Sequence, residues 1–152
     1  MELRLYSFCN FYLSSIQQGI QTGHAAVDLV RLYAGSEMVA DWADNWKTFI
    51  ILNGGDNDGV QAAGQIIFES GFPHMHFAEP GLGGIKTCWT VVLPESIFNA
   101  QKDSTMLVGQ ETFPIYTCNV DEGDAFPKHY SYGPDHKHYQ LVQLLRSSGL
   151  AK

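Results

Sequence analysis

The sequence predicts an α/β protein in which helices pack on a mixed sheet of about four strands, forming a three-layer α/β/α sandwich. Residues 3–8 are rich in Leu and Tyr and alternate in polarity, which is typical of a strand. Residues 48–52 form a continuous apolar run, which indicates a strand buried on both faces. Helical patterns lie between these and later strands, and that alternation favours a sheet with helices on its faces.

The first helix is predicted from about Ile16 to Tyr33. Ser14 and Ser15 precede it and suit the N-cap position, because a serine hydroxyl accepts a hydrogen bond from the free amides of the first turn. His24 follows Ile20 by one turn and borders the buried face. Helical spacing predicts that this buried face consists of Ile16, Ile20, Gly23, Val27 and Val30.

The sequence pattern predicts two further helices and two further strands in the middle of the chain. A short helix is expected at 36–44, and the Gly- and Asp-rich residues 53–59 predict a turn. Asn57 or Asp58 then caps a helix from Val60 to Ser70, which Gly71 ends in the left-handed conformation. Strands at 72–78 and 88–93 complete the predicted sheet.

Residues 94–133 do not continue this alternation of strands and helices, so we predict an insertion there. A last helix is predicted at 136–147, with Pro134 at or just before its first turn. Two short strands are expected within the insertion, at 106–108 and 113–118. Its aromatic residues suit either a flap over one end of the sheet or a surface for a partner. They are Phe113, Tyr116, Phe126, Tyr130 and Tyr132. Residues 1–152 are predicted to form one domain that carries this insertion.

Charge and composition argue against several classes of function. The chain has 16 acidic and 9 basic residues, a net charge of −7, which disfavours broad binding to a nucleic-acid backbone. No apolar run approaches the roughly 20 residues of a membrane span, and the first residues lack the pattern of a signal peptide. The three cysteines are widely spaced, so we expect reduced thiols in a cytoplasmic protein with no membrane partner.

Several motifs in residues 3–93 follow an order that one enzyme family shares. Residues 21–25, Gln-Thr-Gly-His-Ala, match the Gln-x-x-His-Ala of that family's first helix. Trp42 and the strand at 47–52 resemble its Trp and second strand, and the helix ending before Gly71-Phe72 resembles its next helix and turn. Glu79-Pro80-Gly81 stands where the family has Asp-Ala-Gly, and residues 90–92 resemble its last strand. Together these motifs resemble the type II peptidyl-tRNA hydrolases, and the resemblance extends loosely to the last helix.

The resemblance implies a site between the first helix and the end of the third strand. It makes His24 and Glu79 the candidate catalytic acid–base groups, lining one pocket. The alternative for His24 is a histidine at the edge of the core, held by a backbone carbonyl. The resemblance also implies substrate-binding roles for Gln17, Gln21 and Gly81.

Several positions depart from the family's pattern, including Ile16, which stands where the family has the glycine before its lysine. Gln17 stands where the family has a lysine, Glu79 where it has the aspartate, and Gly83 where it has a threonine. The lysine would supply a cation and the threonine a hydroxyl, and the longer glutamate arm displaces the carboxylate. These departures favour reduced catalysis.

Two functions therefore stay open. The first is a divergent, catalytically reduced member of the family that binds a protein or small-ligand partner, with the insertion at 94–133 as one candidate surface. The second is an active peptidyl-tRNA hydrolase that uses His24 and Glu79, and tRNA is a partner only in this case. The sequence leaves the oligomeric state open.

His74 and His76 form a separate candidate site. Residues two apart on a strand share a face, so both imidazoles could bind one metal, with Glu79 or a later histidine as a further ligand. The alternative is two ordinary histidines on a partly exposed strand. No other His or Cys pair stands at a familiar spacing, so the sequence predicts no metal site and no cofactor.

Overall fold

The computed structural model describes residues 1–121, 123 and 126–149. The contacts divide them into two units: residues 3–93 with Ser148 and Gly149, and Met1–Glu2 with Pro94–Ser147. Residues 122, 124 and 125 of the predicted insertion lie outside the described residues. The prediction of a single domain stays a prediction.

The first unit contains four strands and three α-helices. A single π-helical turn at Trp42–Trp46 follows the second helix, and a 3₁₀ turn at Pro80–Leu82 follows the third strand. The regular elements are β1 (Leu3–Asn10), α1 (Ser15–Leu32), α2 (Glu37–Asp41), β2 (Phe49–Gly55), α3 (Asn57–Ser70), β3 (His74–Glu79) and β4 (Ile85–Pro94).

The four strands form one mixed sheet in the order β2-β1-β4-β3. β1 pairs with β2 in parallel, with Phe8 beside Leu52, and β3 pairs with β4 antiparallel, with His76 beside Trp89. The predicted α/β class and the mixed sheet of four strands are confirmed. The complete three-layer sandwich stays a prediction.

The prediction that residues 48–52 form a strand buried on both faces is wrong. β2 lies at the edge of the sheet, and Phe49 is 46% exposed. The strands covered on both faces are the two central ones, β1 and β4, in which nearly every residue is buried. An apolar run alone does not distinguish a central strand from an edge strand, because order in the sheet depends on distant pairing.

α1 begins at the predicted cap but turns its other face to the sheet. Ser14 and Gln17 form a reciprocal capping box, in which each side chain accepts a hydrogen bond from the other residue's amide. The predicted buried face is wrong, because Ile16, Ile20, Val27 and Val30 are exposed and Gly23 is half-buried. The residues that face the sheet are Gln18, Gln21, Thr22, Ala25, Ala26 and Leu29.

Hydrogen bonding explains this orientation of α1. β1 presents Ser7 and Cys9 to the helix, and the Ser7 hydroxyl lies 2.8 Å from the Thr22 hydroxyl. Both residues are almost completely buried. Since a buried hydroxyl without a partner destabilises the fold, this face of β1 requires polar and small residues opposite it.

α3 is capped one residue earlier than predicted. The Asp56 side chain accepts a hydrogen bond from the Gly59 amide at 2.9 Å, so neither Asn57 nor Asp58 is the cap. The helix ends as predicted at Gly71, whose φ of 79° lies in the left-handed region. Cys88 donates a hydrogen bond to α1 and its neighbour Trp89 lies against Gly64 of α3, so the two helices cover opposite faces of β4.

The second unit contains an antiparallel sheet of three strands in the order β5-β6-β7, together with α4 and α5. Its elements are α4 (Glu95–Phe98), β5 (Gln101–Val108), β6 (Glu111–Val120), β7 (Lys128–Tyr132) and α5 (Tyr139–Ser147). The two predicted short strands lie within β5 and β6, whereas β7 was not predicted. α5 begins at Tyr139 rather than His136. Residues 134–138 form turns instead, and the His136 amide donates a hydrogen bond to the Gly133 carbonyl.

The five aromatic residues of this unit have different environments. Tyr116 and Tyr132 are buried, and the Tyr132 hydroxyl donates to the Ser96 carbonyl at 2.8 Å. Burial raises the pKa of Tyr132 to about 12. Phe113 and Tyr130 are half-buried, and Phe126 is 83% exposed. The aromatic set is therefore not one surface, since two of its members belong to the core.

None of the helices in the described part of the chain combines the length and the apolar character needed to cross a bilayer.

Gly64→Ala should destabilise the first unit, because a methyl group at this position would overlap the indole ring of Trp89. We expect the free energy of unfolding to fall by about 1–3 kcal/mol. Gly19→Ala is the matched control, since a methyl group there meets open space on α1 and should stabilise by about 0.5–1 kcal/mol. Urea unfolding followed by tryptophan fluorescence measures both, because Trp42, Trp46 and Trp89 all lie in this unit. Equal stabilities would contradict the close packing of Trp89 on α3.

Candidate functional site

α1 and the end of β3 bring three of the implied site residues to one edge of the sheet. The Gln21 amide donates a hydrogen bond from Nε2 to Glu79 Oε2 at 3.0 Å. One turn later, the His24 ring stacks on Phe77, with ring centroids 4.7 Å apart and planes 16° from parallel. The sequence thus identified residues that share an edge, although the contact with Glu79 is made by Gln21.

Both carboxylate oxygens of Glu79 accept hydrogen bonds from the protein. Oε2 accepts from Gln21, and Oε1 accepts from the Gly81 amide at 3.4 Å, which caps the 3₁₀ turn at Pro80–Leu82. Gly81 therefore contacts Glu79 through its backbone. In this arrangement Glu79 holds the end of β3 to α1.

The two glutamines implied for substrate binding also make structural contacts. Gln17 is exposed, and its side chain is engaged in the capping box with Ser14 at 3.1 Å. Gln21 is 8% exposed, and its Oε1 is buried with no hydrogen-bond partner among the described residues. Gln21 therefore holds a buried acceptor beside the carboxylate of Glu79.

Gly83, which stands where the family has a threonine, lies in a left-handed turn. Its φ is 72°, and its amide donates to the Pro80 carbonyl at 3.3 Å. A threonine would be strained at this φ, because β-branched side chains rarely adopt the left-handed region. The glycine therefore suits the turn that this chain forms after Glu79.

His24 is exposed and lies in a shallow depression of about 420 Å³ on the outer side of α1. Glu79 is not among the residues that line it. The depression is largely apolar, and Asp28 is its acidic residue. Its lining consists of Ile20, Gly23, His24, Val27, Asp28 and Phe77. The geometry therefore offers an apolar surface with one imidazole and one carboxylate at its rim.

A buried polar cluster that the sequence did not predict lies beneath α1. Cys9 of β1 and Cys88 of β4 are both free thiols with no exposed surface. Cys9 Sγ lies 3.4 Å from both the Ser7 and the Thr22 hydroxyl oxygens. A hydrogen bond from the Cys88 thiol, with these two hydroxyls, lowers the pKa of Cys9, whereas the same pairing and burial raise the pKa of Cys88.

His74 and His76 share a face of β3, as predicted, and that face packs around an indole ring. The Trp89 ring centroid lies 6.2 Å from that of His74 and 4.7 Å from that of His76. His74 Nδ1 lies 2.8 Å from the Phe72 carbonyl oxygen, and burial and the nearby Lys86 ammonium lower the pKa of His76. Within the described ranges, no three His, Cys, Asp or Glu side chains are grouped closely enough to hold a metal ion.

Replacing Glu79 tests its role as the acceptor for Gln21. We expect Glu79→Ala to lower the free energy of unfolding by about 1–3 kcal/mol, because Gln21 Nε2 loses its acceptor in a buried position. Glu79→Gln is the matched variant and should cost less than about 1 kcal/mol, since its amide oxygen can still accept and its amide nitrogen can donate to Gln21 Oε1. Urea unfolding followed by tryptophan fluorescence compares the two, and equal losses would contradict this role.

Comparison with known proteins leaves the family open. No protein-family model matches the chain, and no curated protein sequence matches it. The resemblance to the type II peptidyl-tRNA hydrolases therefore rests on the motifs of residues 3–93 and stays a prediction.

Proposed function

We propose that this protein is a binding module, a divergent and catalytically reduced relative of the type II peptidyl-tRNA hydrolases, which binds a protein partner on the outer face of α1. The observation that carries this proposal is the exposure of large apolar side chains along one face of the helix. Ile16, Ile20 and Val27 are 77%, 51% and 61% exposed. Exposed apolar groups that lie next to one another are typical of interaction surfaces.

The shape of this face suits a helix of the partner. A methyl group added at Gly19 or Gly23 would meet no atom within 4 Å, so the space above both glycines is open. Small residues let the backbone of a second helix approach closely, with Ile20 and Val27 as flanking ridges. The depression beside His24 and Phe77 would then receive one large apolar side chain of the partner.

Charge indicates the character of the partner helix. The chain carries a net charge of −7, and Asp28 lies at the rim of the depression. A partner helix that is apolar on one face and carries Lys or Arg beside it would complement this surface. We therefore propose an amphipathic, basic helix of another protein as the occupant.

The contacts of the implied catalytic residues support reduced catalysis. Glu79 accepts hydrogen bonds from Gln21 and Gly81, and Gln17 is engaged in the helix cap. A general base must reach the proton that it removes, and in this geometry Glu79 bonds Gln21 and Gly81 while His24 stacks on Phe77. Neither Gln17 nor Gly83 supplies the cation or the hydroxyl of the family.

Peptidyl-tRNA hydrolysis is the second candidate function. The observation that favours it is that α1 and β3 bring Gln21, His24 and Glu79 to one edge, and that His24 is accessible there. Under this candidate, His24 would act as the acid–base group on the ester and Glu79 would be released from Gln21 when substrate binds.

Partner binding should depend on α1 and not on exposed apolar groups elsewhere. We expect the double variant Ile20→Ser with Val27→Ser to lower affinity for the native partner by at least about tenfold, because two large apolar contacts are lost. Leu107→Ser is the matched control, since Leu107 of β5 is 68% exposed but belongs to the other unit. Quantitative affinity capture from extracts of the source organism compares them, with unfolding free energies as a check on folding. Equal loss in the control, or none in the double variant, would contradict the α1 surface.

A hydrolysis assay separates the two candidates. We expect wild-type protein to release no more amino acid or peptide from a peptidyl-tRNA than the uncatalysed reaction does, and His24→Ala to behave identically. Turnover by wild type that disappears in His24→Ala would favour the hydrolase. The affinity of tRNA at low and high salt provides the accompanying measurement, because phosphate binding weakens steeply with salt.

A further inference from the structure

We propose that Cys9 and Cys88 form a peroxide-reactive dithiol, which a small hydroperoxide such as hydrogen peroxide converts to a disulfide between β1 and β4. The two residues lie on neighbouring strands and pack together with Ala25 in one buried cluster. Neighbouring strands lie about 4.7–4.9 Å apart, so cysteines that pack together across them fall near the roughly 4.4–6.8 Å between Cα atoms that a disulfide spans. The described part of the chain holds both sulfurs as free thiols.

Cys9 is the sulfur that attacks the peroxide. Its sulfur lies 3.4 Å from each of the Ser7 and Thr22 hydroxyl oxygens, and because these two hydroxyls share a hydrogen bond, one of their two protons remains to donate to the thiolate. The hydrophobic side chains packed against the pair are Ile51, Met75 and Phe77, with Ala25 of α1 in the same cluster, and the Gln18 carbonyl oxygen lies 3.8 Å from Cys9 Sγ. The thiolate form is the nucleophile, so this environment selects Cys9 over Cys88.

Cys88 is the sulfur that resolves the oxidised intermediate. Its single proton has two acceptors: the Cys9 sulfur when that sulfur is ionised, and the Gln21 carbonyl at 3.5 Å. The Cys88 side chain shares one buried cluster with Cys9 and Ala25. Its raised pKa keeps it protonated until the first step has removed the charge on Cys9.

The reaction balances with hydrogen peroxide as the oxidant. The Cys9 thiolate attacks one peroxide oxygen, the O–O bond breaks, and hydroxide leaves as Cys9 becomes a sulfenic acid. This hydroxide takes up the proton that Cys9 released on ionising and becomes the first water. Cys88 sulfur then attacks Cys9 sulfur, its proton passes to the departing hydroxide, and water leaves. In sum, two thiols and one hydrogen peroxide give one disulfide and two waters, so the thiols lose the two electrons that the peroxide gains. Because neither sulfur is exposed, the oxidant must be small enough to enter by local opening.

Oxidation changes the contact between the sheet and α1. In the reduced state the Cys88 thiol donates to the Gln21 carbonyl, and the Gln21 side chain in turn bonds Glu79. A disulfide removes that thiol proton and the hydrogen bond with it. The modification therefore acts on the residue that joins α1 to the end of β3.

Thiol titration and peptide mapping of the full-length chain test the proposal. Treatment with hydrogen peroxide, followed by unfolding, should reduce the titratable thiols from three to one. Proteolysis without reductant should give a peptide pair joined through Cys9 and Cys88, and dithiothreitol should restore all three thiols. Cys118→Ser is the control and should still lose two thiols, because Cys118 lies on β6 outside this cluster. Three surviving thiols, a disulfide involving Cys118, or sulfinic acid at Cys9 without a disulfide would overturn the proposal.

Two further variants test the assigned roles. Cys88→Ser should accumulate a sulfenic acid at Cys9, which dimedone captures, whereas Cys9→Ser should leave Cys88 unmodified. Thr22→Val should slow the reaction at neutral pH by roughly tenfold because it removes one of the two linked hydroxyls beside the Cys9 thiolate. Thr90→Val is the matched control, since the Thr90 hydroxyl donates to the Met75 carbonyl and not to a sulfur. Equal rates in the two threonine variants would overturn Cys9 as the attacking sulfur. If a cysteine variant does not fold, the peptide map of the wild-type chain decides alone.

Discussion

The hydrogen bond between Ser7 and Thr22 is the contact on which the arrangement of α1 depends. At 2.8 Å, and with both hydroxyls buried, it requires that the polar face of the helix lie against β1. A buried hydroxyl that loses its partner costs about 1–3 kcal/mol, so rotating the helix to bury Ile16 and Ile20 would leave the Ser7 hydroxyl of β1 unsatisfied. The apolar face of α1 is consequently on the outside. The proposed binding surface follows from the polarity of the strand beneath the helix.

The sequence predicted most elements because their local signals agreed. Ser14 as N-cap, Gly71 as the left-handed end of α3 and the strands at 72–78 and 88–93 all lie within a few residues of the observed elements. Each of these signals acts between residues that are close in the chain, which is where side-chain type determines backbone conformation directly. The errors at Asp56 and Tyr139 are shifts of one to three residues in helix starts, where several turn residues compete.

The larger errors concern which face of an element is buried. Helical spacing identified the apolar stripe of α1 correctly, but spacing alone cannot tell whether a stripe faces the sheet or solvent. That decision depends on Ser7 and Cys9, and their effect on Thr22 becomes visible only when β1 and α1 are packed together. The same reasoning applies to β2, since its place at the edge depends on β4 pairing with β1. The pairing of Cys9 with Cys88 also joins residues that are distant in the chain.

A single path of contacts connects the buried thiols with the edge where the implied site lies. Cys9 and Cys88 pack in one buried cluster, the Cys88 thiol donates to the Gln21 carbonyl, and the Gln21 amide donates to Glu79. Gln21 is therefore bonded at both its backbone and its side chain, while its buried Oε1 has no partner in the described part of the chain. The unsatisfied Oε1 lowers the free energy of unfolding, and a hydrophobic residue of similar size would avoid this cost. A glutamine here is explained by its bond to Glu79, which joins α1 to the end of β3 beside the stacked rings of His24 and Phe77.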